Sequence, residues 1–303
     1  MNSFPIPILL IIFNRPDKVQ LLIQALEKLG PSRIFVSADG PRPNVDSDIE
    51  LCEKTRNIIN NINWPCEIVR RYQDTNTGCK INASESVSWF FEHVDEGIIL
   101  EDDCIPTESF FPFCRELLDR YRDETKVMHI SGNTFLLPQE VSDKSVSYYF
   151  SRCPQLWGWA TWKRAWKHYD ISMLHLDSIK SDTNVNNLFL RKEHLDYWIK
   201  HCQHIRDNNI DTWDAQWQYT MMYHGGYAIS PLYNQINNIG FGINATHTKE
   251  EINNVSVPTR NFSFPLKHPS HVTADKIADE RLMNKFYIRK WWQKLFSKIR
   301  KMI

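Results

Sequence analysis

The sequence predicts an α/β fold with a mixed, mainly parallel sheet flanked by helices. Three observations lead to this prediction: short apolar runs alternate with segments of helical periodicity, 303 residues suffice for one large domain, and no internal repeat breaks the pattern. Strands that alternate with helices need crossover connections, which make neighbouring strands parallel and cover both faces of the sheet.

The elements of the first half can be placed from periodicity and from turn residues. The predicted strands are the apolar runs 6–13, 33–40 (RIFVSADG), 66–72 (CEIVRRY) and 98–100. The predicted helices between them span 18–29, 47–63 and 83–94. Since ligands of such sheets collect at the carboxyl ends of the parallel strands, the residues that follow these runs are the candidate site.

The second half is rich in aromatic residues. VMHISGN predicts one more strand, and the spacing of Trp159, Trp162 and Trp166 predicts a single buried helical stripe. The core pattern gives way to a basic segment near residue 265, so the predicted division is a main domain over 1–265 and a basic, amphipathic helical extension over 266–303.

Composition excludes several classes of protein. The formal net charge is zero and the isoelectric point is about 7.2, so no global charge favours nucleic acid. Seven scattered cysteines without a C-x-x-C pair argue against a disulfide framework or structural zinc and favour a reducing cytoplasm. The apolar N-terminal run lacks the features of a signal peptide, and no run approaches the roughly 18 apolar residues that span a bilayer. We therefore expect a cytoplasmic protein.

Three adjacent acids, Glu101, Asp102 and Asp103, follow the apolar strand in GIILEDDCIPTESFFPF. Carboxylates at a buried strand end repel one another unless a cation offsets them, and hard divalent ions prefer oxygen ligands. The pattern therefore predicts Mn²⁺ or Mg²⁺ bound through one or two carboxylates, with water and phosphate oxygens completing the shell. The alternative is a solvated turn, or acids that favour the start of the following helix.

Two further residues follow neighbouring strands. Arg15 precedes Pro16, which suits a first helical position, so its guanidinium is expected beside a helix N-terminus where it can meet a phosphate or a base carbonyl. Asp39 ends the adjacent strand and can accept the imide N–H of a uracil ring. The alternatives are plain capping chemistry for the NRPD segment and an Asp-Gly turn for Asp39.

These segments together resemble the GT-A glycosyltransferases, whose fold is Rossmann-like, and most closely the N-acetylglucosaminyltransferase I family. The matching segments, in order, are PILLIIFNRP, IFVSADG, GCKINASES, GIILEDDCIPTESFFPF, HISGN, CPQLWGWATWKRAW, TWDAQW and IGFGINATH, which cover residues 5–250. The resemblance is to bacterial relatives of that family. One departure is that Ala83 and Ser84 stand where the family has a histidine. Part of the family's contact with the donor, on which the assignment of UDP depends, is therefore missing.

The resemblance implies roles for the donor side of a site. Asp103 is implied as the ligand of Mn²⁺ or Mg²⁺, and Asp102 and Glu101 as contacts to the ribose and the donor sugar. Arg15 and Asp39 are implied to hold the nucleotide.

Other implied roles fall outside the acid cluster. Lys80 lies in the donor-binding GCKINASES segment, and Gly240 and Gly242 belong to a loop that orders over the bound donor. Glycines permit such closure, which excludes water; the alternative is an ordinary hairpin. Asp214 in TWDAQW matches the general base of the family, and inverting transfer needs one carboxylate near the acceptor hydroxyl. The alternative is a surface acid beside two core tryptophans.

Acceptor and membrane contacts are also predicted. Trp157 is the tryptophan expected to face the cleft, where its ring can stack on a sugar. The C-terminal segment KFYIRKWWQKLFSKIRKMI has the basic, amphipathic character of an interfacial membrane binder, which fits an acceptor carried on a lipid. The alternative is a terminal helix docked on the core.

The sequence thus predicts a metal-dependent, inverting glycosyltransferase at the inner face of a bacterial membrane. Its expected substrates are a UDP-sugar, with a GlcNAc-like sugar as the first candidate, and a saccharide or lipid-linked glycan of a surface polysaccharide. The alternatives are a nucleotidyltransferase, which normally has a glycine-rich basic loop near its N-terminus, and a nucleotide-sugar-binding protein without transferase activity.

Overall fold

The computed structural model of the protein describes residues 3–240 and 257–288. Within these residues the strands are β1 (Ile8–Ile12), β2 (Arg33–Ala38), β3 (Glu67–Tyr72), β4 (Glu96–Glu101), β5 (Cys104–Pro106), β6 (Val127–Ser131), β7 (Tyr148–Ser151), β8 (Trp159–Trp162), β9 (Tyr227–Pro231) and β10 (Ile236–Asn238). The α-helices are α1 (Pro16–Leu29), α2 (Asp46–Asn60), α3 (Cys79–His93), α4 (Phe110–Arg120), α5 (Lys163–Trp166), α6 (Thr183–Asn186), α7 (Lys192–Asp207), α8 (Asp214–Tyr223) and α9 (Lys276–Leu282). Short 3₁₀ turns lie at Pro138–Glu140 and Ile179–Ser181, and a π-helical turn lies at Met283–Tyr287.

The main sheet has the strand order β3-β2-β1-β4-β8-β6-β9-β7 in the described part of the chain. Strands β3, β2, β1 and β4 are parallel, and β6 is parallel to β9. Only β8, between β4 and β6, and the edge strand β7 run antiparallel to their neighbours in this sheet. The predicted fold class, a mixed and mainly parallel sheet flanked by helices, is confirmed.

Strand β1 lies at the centre of the parallel half, and all five of its residues are buried. Because side chains alternate along a strand, they enter two different cores. Leu10 packs in the core that includes the apolar face of α1, whereas Leu9 packs in the core that includes Phe90 of α3. A strand covered on both faces has no solvated side, which explains why ILLII is a continuous apolar run rather than an alternating one.

The predicted helical stripe of tryptophans is wrong in its secondary structure. Trp159 and Trp162 lie in strand β8, and Trp166 lies in the short helix α5. All three are buried, as predicted, but Trp162 packs in the α1 side of the sheet and Trp159 and Trp166 pack in the α3 side. Residues three apart share a face only in a helix, and here pairing with β4 and β6 imposes a strand, so they point to opposite faces.

The described end of the chain packs on a third core. Ala278, Leu282 and Met283 are buried among residues of α7 and α8, and Leu266 is buried in the α1 side of the sheet. Asp275 caps α9 by accepting the N–H of Ala278 at 2.9 Å and also accepts the N–H of Ser142 at 2.8 Å. The described part of the predicted extension therefore docks on the core.

The remainder of the predicted basic helix, residues 289–303, lies outside the described residues. In the described residues no helix is long and apolar enough to cross a membrane.

Candidate functional site

The candidate site lies where three neighbouring parallel strands end. Strand β1 pairs with β2 on one side and with β4 on the other, with Ile12 beside Ala38 and Ile11 beside Glu101. The residues that follow these strands are therefore brought to one edge of the sheet, as the sequence predicts. They include Arg15, Asp39 and the three acids that begin at Glu101.

Arg15 lies between the second and third acids. Its Nη1 donates to Oδ1 of Asp102 at 2.9 Å and to Oδ2 of Asp103 at 3.0 Å. The three side chains are mostly buried, with exposed fractions of 19%, 7% and 14% respectively. Arg15 directly precedes α1, where Pro16 occupies the first helical position, so the fixed start of that helix places the guanidinium against the acids.

The acids carry more negative charge than Arg15 offsets. Burial raises the pKa of Asp102 to about 6, even though the charge of Arg15 opposes the shift. Burial, followed by the charges of Asp103 and Asp102, raises the pKa of Glu101 to about 8. Glu101 is therefore largely protonated at neutral pH unless another cation approaches.

Gly240 lies directly against the acid cluster. Strand β10 pairs with β5, which follows the acids, and the pairing continues as the N–H of Ile239 donates to the carbonyl oxygen of Asp103 at 2.9 Å. A Cβ placed on Gly240 would lie 2.1 Å from Oδ2 of Asp103. The predicted donor loop thus begins in contact with the predicted metal ligand, while Gly242, the other glycine of that loop, lies outside the described residues.

Asp39 organises the loop beside the acids. Its Oδ1 accepts the backbone N–H groups of Gly40 and Thr77, each at 2.9 Å, and its Oδ2 accepts Nδ2 of Asn76 at 2.9 Å. Burial raises the pKa of Asp39, and the bonds from Thr77 and Gly40 oppose the shift. The Asp-Gly turn is therefore present, and the contact of Asp39 with a base stays a prediction.

The loop held by Asp39 leads into α3, which carries Lys80. The helix begins at Cys79, four residues before the predicted start, because an acid distant in sequence caps it. Oδ2 of Asp211 accepts the N–H of Cys79 at 2.9 Å, and Oδ1 accepts the N–H of Lys80 at 2.7 Å. Sequence reasoning missed Asp211, since a cap supplied by another segment leaves no local pattern.

Asp214 is the first residue of α8 and is exposed between the buried tryptophans 213 and 217. Its Oδ1 accepts Oγ1 of Thr212 at 2.5 Å and the N–H of Ala215 at 2.8 Å. Asp214 is therefore a surface acid beside two core tryptophans, as the predicted alternative says. Its role as a general base stays a prediction.

The pKa of the Cys79 thiol depends on acids from several segments of the chain. This pKa is raised well above the usual range by burial and then by the charges of Glu101, Asp211, Asp214 and Asp39, in that order. The charge of Asp214 also contributes to the raised pKa of Glu101. Coulomb interactions weaken with distance and are screened by solvent, so these acids lie on the side of the molecule where α3 begins.

Trp157 stands at the same edge of the sheet. It lies two residues before β8, whose pairing with β4 ends at Ile99 and Trp159. Its backbone N–H donates to Oδ1 of Asn133 at 3.1 Å, and its ring packs edge to face on Phe135 with 5.0 Å between the ring centroids. The contact of this ring with a sugar stays a prediction.

The donor set of the acid cluster suits a hard divalent cation. Asp102 and Asp103 offer carboxylate oxygens, the ligand type that such ions prefer, on either side of Arg15. Over residues 3–240 and 257–288, no three His, Cys, Asp or Glu side chains are grouped as a metal site. Asp102 and Asp103 would supply one or two ligands, and water and a diphosphate would complete the shell of the ion.

No known protein-family profile matches the chain, and no curated protein matches its sequence. Solved structures that are similar include UDP-glucose pyrophosphorylase complexed with UDP-glucose, at 9% identity and TM-score 0.36, over 78% of this chain and 92% of that chain. HddC from Yersinia pseudotuberculosis is similar at 9% identity and TM-score 0.31, over 52% of this chain and 77% of that chain. The 4-diphosphocytidyl-2C-methyl-D-erythritol synthase from Anaerococcus prevotii is similar at 8% identity and TM-score 0.29, over 64% and 84%. Similarity at this level carries no argument about activity, so the residues of the site must indicate the function.

Proposed function

We propose that the protein is a metal-dependent, inverting glycosyltransferase of the GT-A type, related to the N-acetylglucosaminyltransferase I family. It transfers a sugar, GlcNAc-like as the first candidate, from a UDP-sugar to a saccharide or lipid-linked glycan of a bacterial surface polysaccharide. The observation that carries this proposal is the pairing of Arg15 with Asp102 and Asp103 at the common edge of β1, β2 and β4. The charge of Asp214 is among those that raise the pKa of the adjacent Glu101. Sugar transfer needs both a diphosphate-binding part and a separate carboxylate, and Arg15 with its acids and Asp214 would supply the two.

The donor side consists of Arg15 and the acids. Asp103, with Asp102 beside it, would hold Mn²⁺ or Mg²⁺, and Arg15 adds a fixed positive charge at the start of α1. When bound, the cation neutralises charge on the departing diphosphate. Glu101 would contact a ribose or sugar hydroxyl through its carboxyl oxygens.

The acceptor side consists of Asp214 and Trp157. Both described hydrogen bonds to the Asp214 carboxylate are accepted by Oδ1, so Oδ2 would take the proton of the acceptor hydroxyl. The carboxylate of Asp214 is exposed and is therefore accessible as a general base. The ring of Trp157 would offer an apolar face to a pyranose.

The test is to incubate the purified protein with Mn²⁺, a panel of UDP-sugars and a saccharide acceptor, and to measure released UDP. Asp214→Asn should bind UDP as the unaltered protein does and lose at least about 100-fold in turnover, since general bases contribute that much. Asp143→Asn, at an exposed acid that accepts the N–H of Ser145, is the matched control and should keep full turnover. Full turnover by Asp214→Asn would exclude it as the base.

Nucleotidyl transfer is the second candidate, because an acid cluster with a cation also serves reactions at a nucleotide diphosphate. A UDP-glucose pyrophosphorylase is among the similar structures. The connection between β1 and α1 favours sugar transfer: it consists of Phe13, Asn14 and Arg15 and contains no glycine, whereas nucleotidyltransferases normally have a glycine-rich basic loop there. Exchange of labelled pyrophosphate into a nucleotide sugar would decide for nucleotidyl transfer, and UDP binding without release or exchange would indicate a binding protein.

Contact with the cytoplasmic face of the membrane is the last part of the proposal. The basic C-terminal segment supports it through its composition alone, because residues 289–303 lie outside the described residues. We expect the full chain to bind vesicles that contain anionic lipid and to leave them as salt rises. Equal binding to neutral and anionic vesicles would contradict it.

A further inference from the structure

Asp211 joins two parts of the site that lie far apart in the sequence. Its carboxylate accepts the N–H of Cys79 at 2.9 Å and the N–H of Lys80 at 2.7 Å. These amides belong to the first turn of α3, where no acceptor exists within the helix. Asp211 therefore acts as an N-cap that another segment of the chain supplies.

Gly78 fits this contact. It has a φ of +84°, a conformation that favours glycine. A Cβ added there would lie 2.9 Å from Oδ2 of Asp211. The glycine thus leaves room for the carboxylate to approach the two amides.

The other end of the connection is Asp214. The N–H of Thr212 donates to the carbonyl oxygen of Ile210 at 2.9 Å, and Oγ1 of Thr212 donates to Oδ1 of Asp214 at 2.5 Å. A continuous series of hydrogen bonds and short backbone links therefore runs from the start of α3 through Asp211 and Thr212 to the carboxylate of Asp214.

We propose that Asp211 is a positioning residue, which fixes Asp214 relative to the helix that carries Lys80. The inference rests on the proposed function. Asp211 itself is poorly placed to take a proton, because each of its oxygens accepts a backbone N–H, whereas the described bonds of Asp214 leave Oδ2 for the acceptor. Reacting groups need placement within a fraction of an ångström, and an error of about 1 Å can cost on the order of 100-fold in rate.

The test compares Asp211→Ala and Asp211→Asn in the full chain, with Mn²⁺ and the donor that the unaltered protein uses. Alanine removes both acceptors, so we expect kcat for transfer to fall by about tenfold or more while the KM for donor changes by less than about twofold. Asparagine keeps one acceptor oxygen and should give an intermediate kcat. Asp211 is exposed, so both variants should fold, and thermal unfolding checks this.

A purely structural cap would give a different pattern. It would lower the unfolding midpoint and leave kcat unchanged per folded molecule. Asp275→Ala is a control of this kind. Asp275 also accepts the N–H of a distant residue, Ser142, and the N–H of Ala278 in the first turn of α9. This cap lies beside β7 and not at the candidate site. We expect it to lower the midpoint and to preserve kcat.

The outcomes separate the two proposals. If the unaltered protein transfers sugar and Asp211→Ala has a kcat within about twofold of it, the positioning role is overturned and the proposed function stands. If Asp211→Ala changes only the KM for donor, Asp211 acts on Lys80 and not on Asp214, which also overturns the role. If the unaltered protein transfers nothing, the proposed function and this inference fail together.

Discussion

Gly240 is in contact with the carboxylate of Asp103: any side chain at this position would put its Cβ 2.1 Å from Oδ2. The two residues come from segments 137 positions apart, and the pairing of β10 with β5 brings them together. A loop that begins on the carboxylate of the predicted metal ligand can respond to whatever that carboxylate binds. The glycine is therefore expected to matter for donor binding more than for stability.

Gly240→Ala should weaken the binding of UDP in Mn²⁺ by about tenfold or more, because either Asp103 or the loop must move to relieve the contact. Isothermal titration calorimetry with UDP, with and without Mn²⁺, measures this. Gly30→Ala is the matched control. Gly30 has a φ of +60° at the end of α1 with open space around it, so alanine there should cost about 1 kcal/mol of stability and leave UDP affinity unchanged. Equal UDP affinity in both variants would show that the Gly240 contact is not needed.

Arg15→Met should weaken donor binding and shift an ionisation. The charge of Arg15 is the main influence that lowers the pKa of Asp102, which burial has raised to about 6. Without that charge the pKa of Asp102 should rise above 6, and carboxyl NMR titration measures it. Arg15→Lys should restore part of the shift but less of the UDP affinity, because an ammonium group does not reproduce the planar guanidinium.

Arg33→Met is the control for Arg15. Arg33 pairs with Glu67 on the surface, at 2.9 Å, away from the acids. It should leave both the pKa of Asp102 and UDP affinity unchanged. A pKa of Asp102 that stayed near 6 in Arg15→Met would mean that Arg15 does not carry the electrostatic role assigned to it.

The sequence predicted the positions of the site residues that directly follow a strand. Apolar runs placed β1, β2 and β4, and parallel pairing then placed Arg15, Asp39 and the acids at a common edge. Gly240 lies against the cluster as well, and its role in a donor loop stays a prediction. Such residues were predictable because the connection between strand order and site position is a general property of parallel sheets.

What the sequence left out depends on contacts between distant segments. The cap of α3 comes from Asp211, which no local pattern announces, and the strand at Trp159 depends on pairing with β4 and β6. Spacing alone favoured a helix for Trp159, Trp162 and Trp166 because periodicity ignores neighbouring strands. Tertiary pairing overrides local preference, and this is the physical reason for both misses.

Asp39→Ala should destabilise the protein by roughly 2–4 kcal/mol, because it leaves the backbone N–H groups of Gly40 and Thr77 without their acceptor. Asp39→Asn should cost less, since the amide oxygen still serves Gly40 and Thr77. Urea unfolding at constant pH measures both. A free energy of unfolding within about 0.5 kcal/mol of the unaltered value in Asp39→Ala would mean that the loop does not depend on this carboxylate.

Asp279 should make the stability depend on pH. This acid of α9 is buried, with Ser151 Oγ donating to Oδ1 at 2.5 Å and the N–H of Arg152 donating to Oδ2 at 3.0 Å. Burial raises its pKa from an ordinary 3.8 to about 7, although these two bonds and the charge of Arg152 oppose the shift. An acid whose pKa is higher in the folded state binds its proton more tightly there. Its contribution to stability is therefore present below about pH 4 and is lost as the pH rises towards 7.

Asp279→Asn removes this titration, because the amide stays neutral at every pH. We expect the free energy of unfolding of the unaltered protein to fall between pH 5 and pH 8 by a few kcal/mol at most, and that of Asp279→Asn to fall less over the same range. Urea unfolding at each pH measures the difference. Asp123→Asn, at an exposed acid, should keep the pH dependence of the unaltered protein. Parallel curves for the unaltered protein and Asp279→Asn would mean that Asp279 does not bind a proton on folding in this range, and that its ionised form is already stabilised by Arg152 and Ser151.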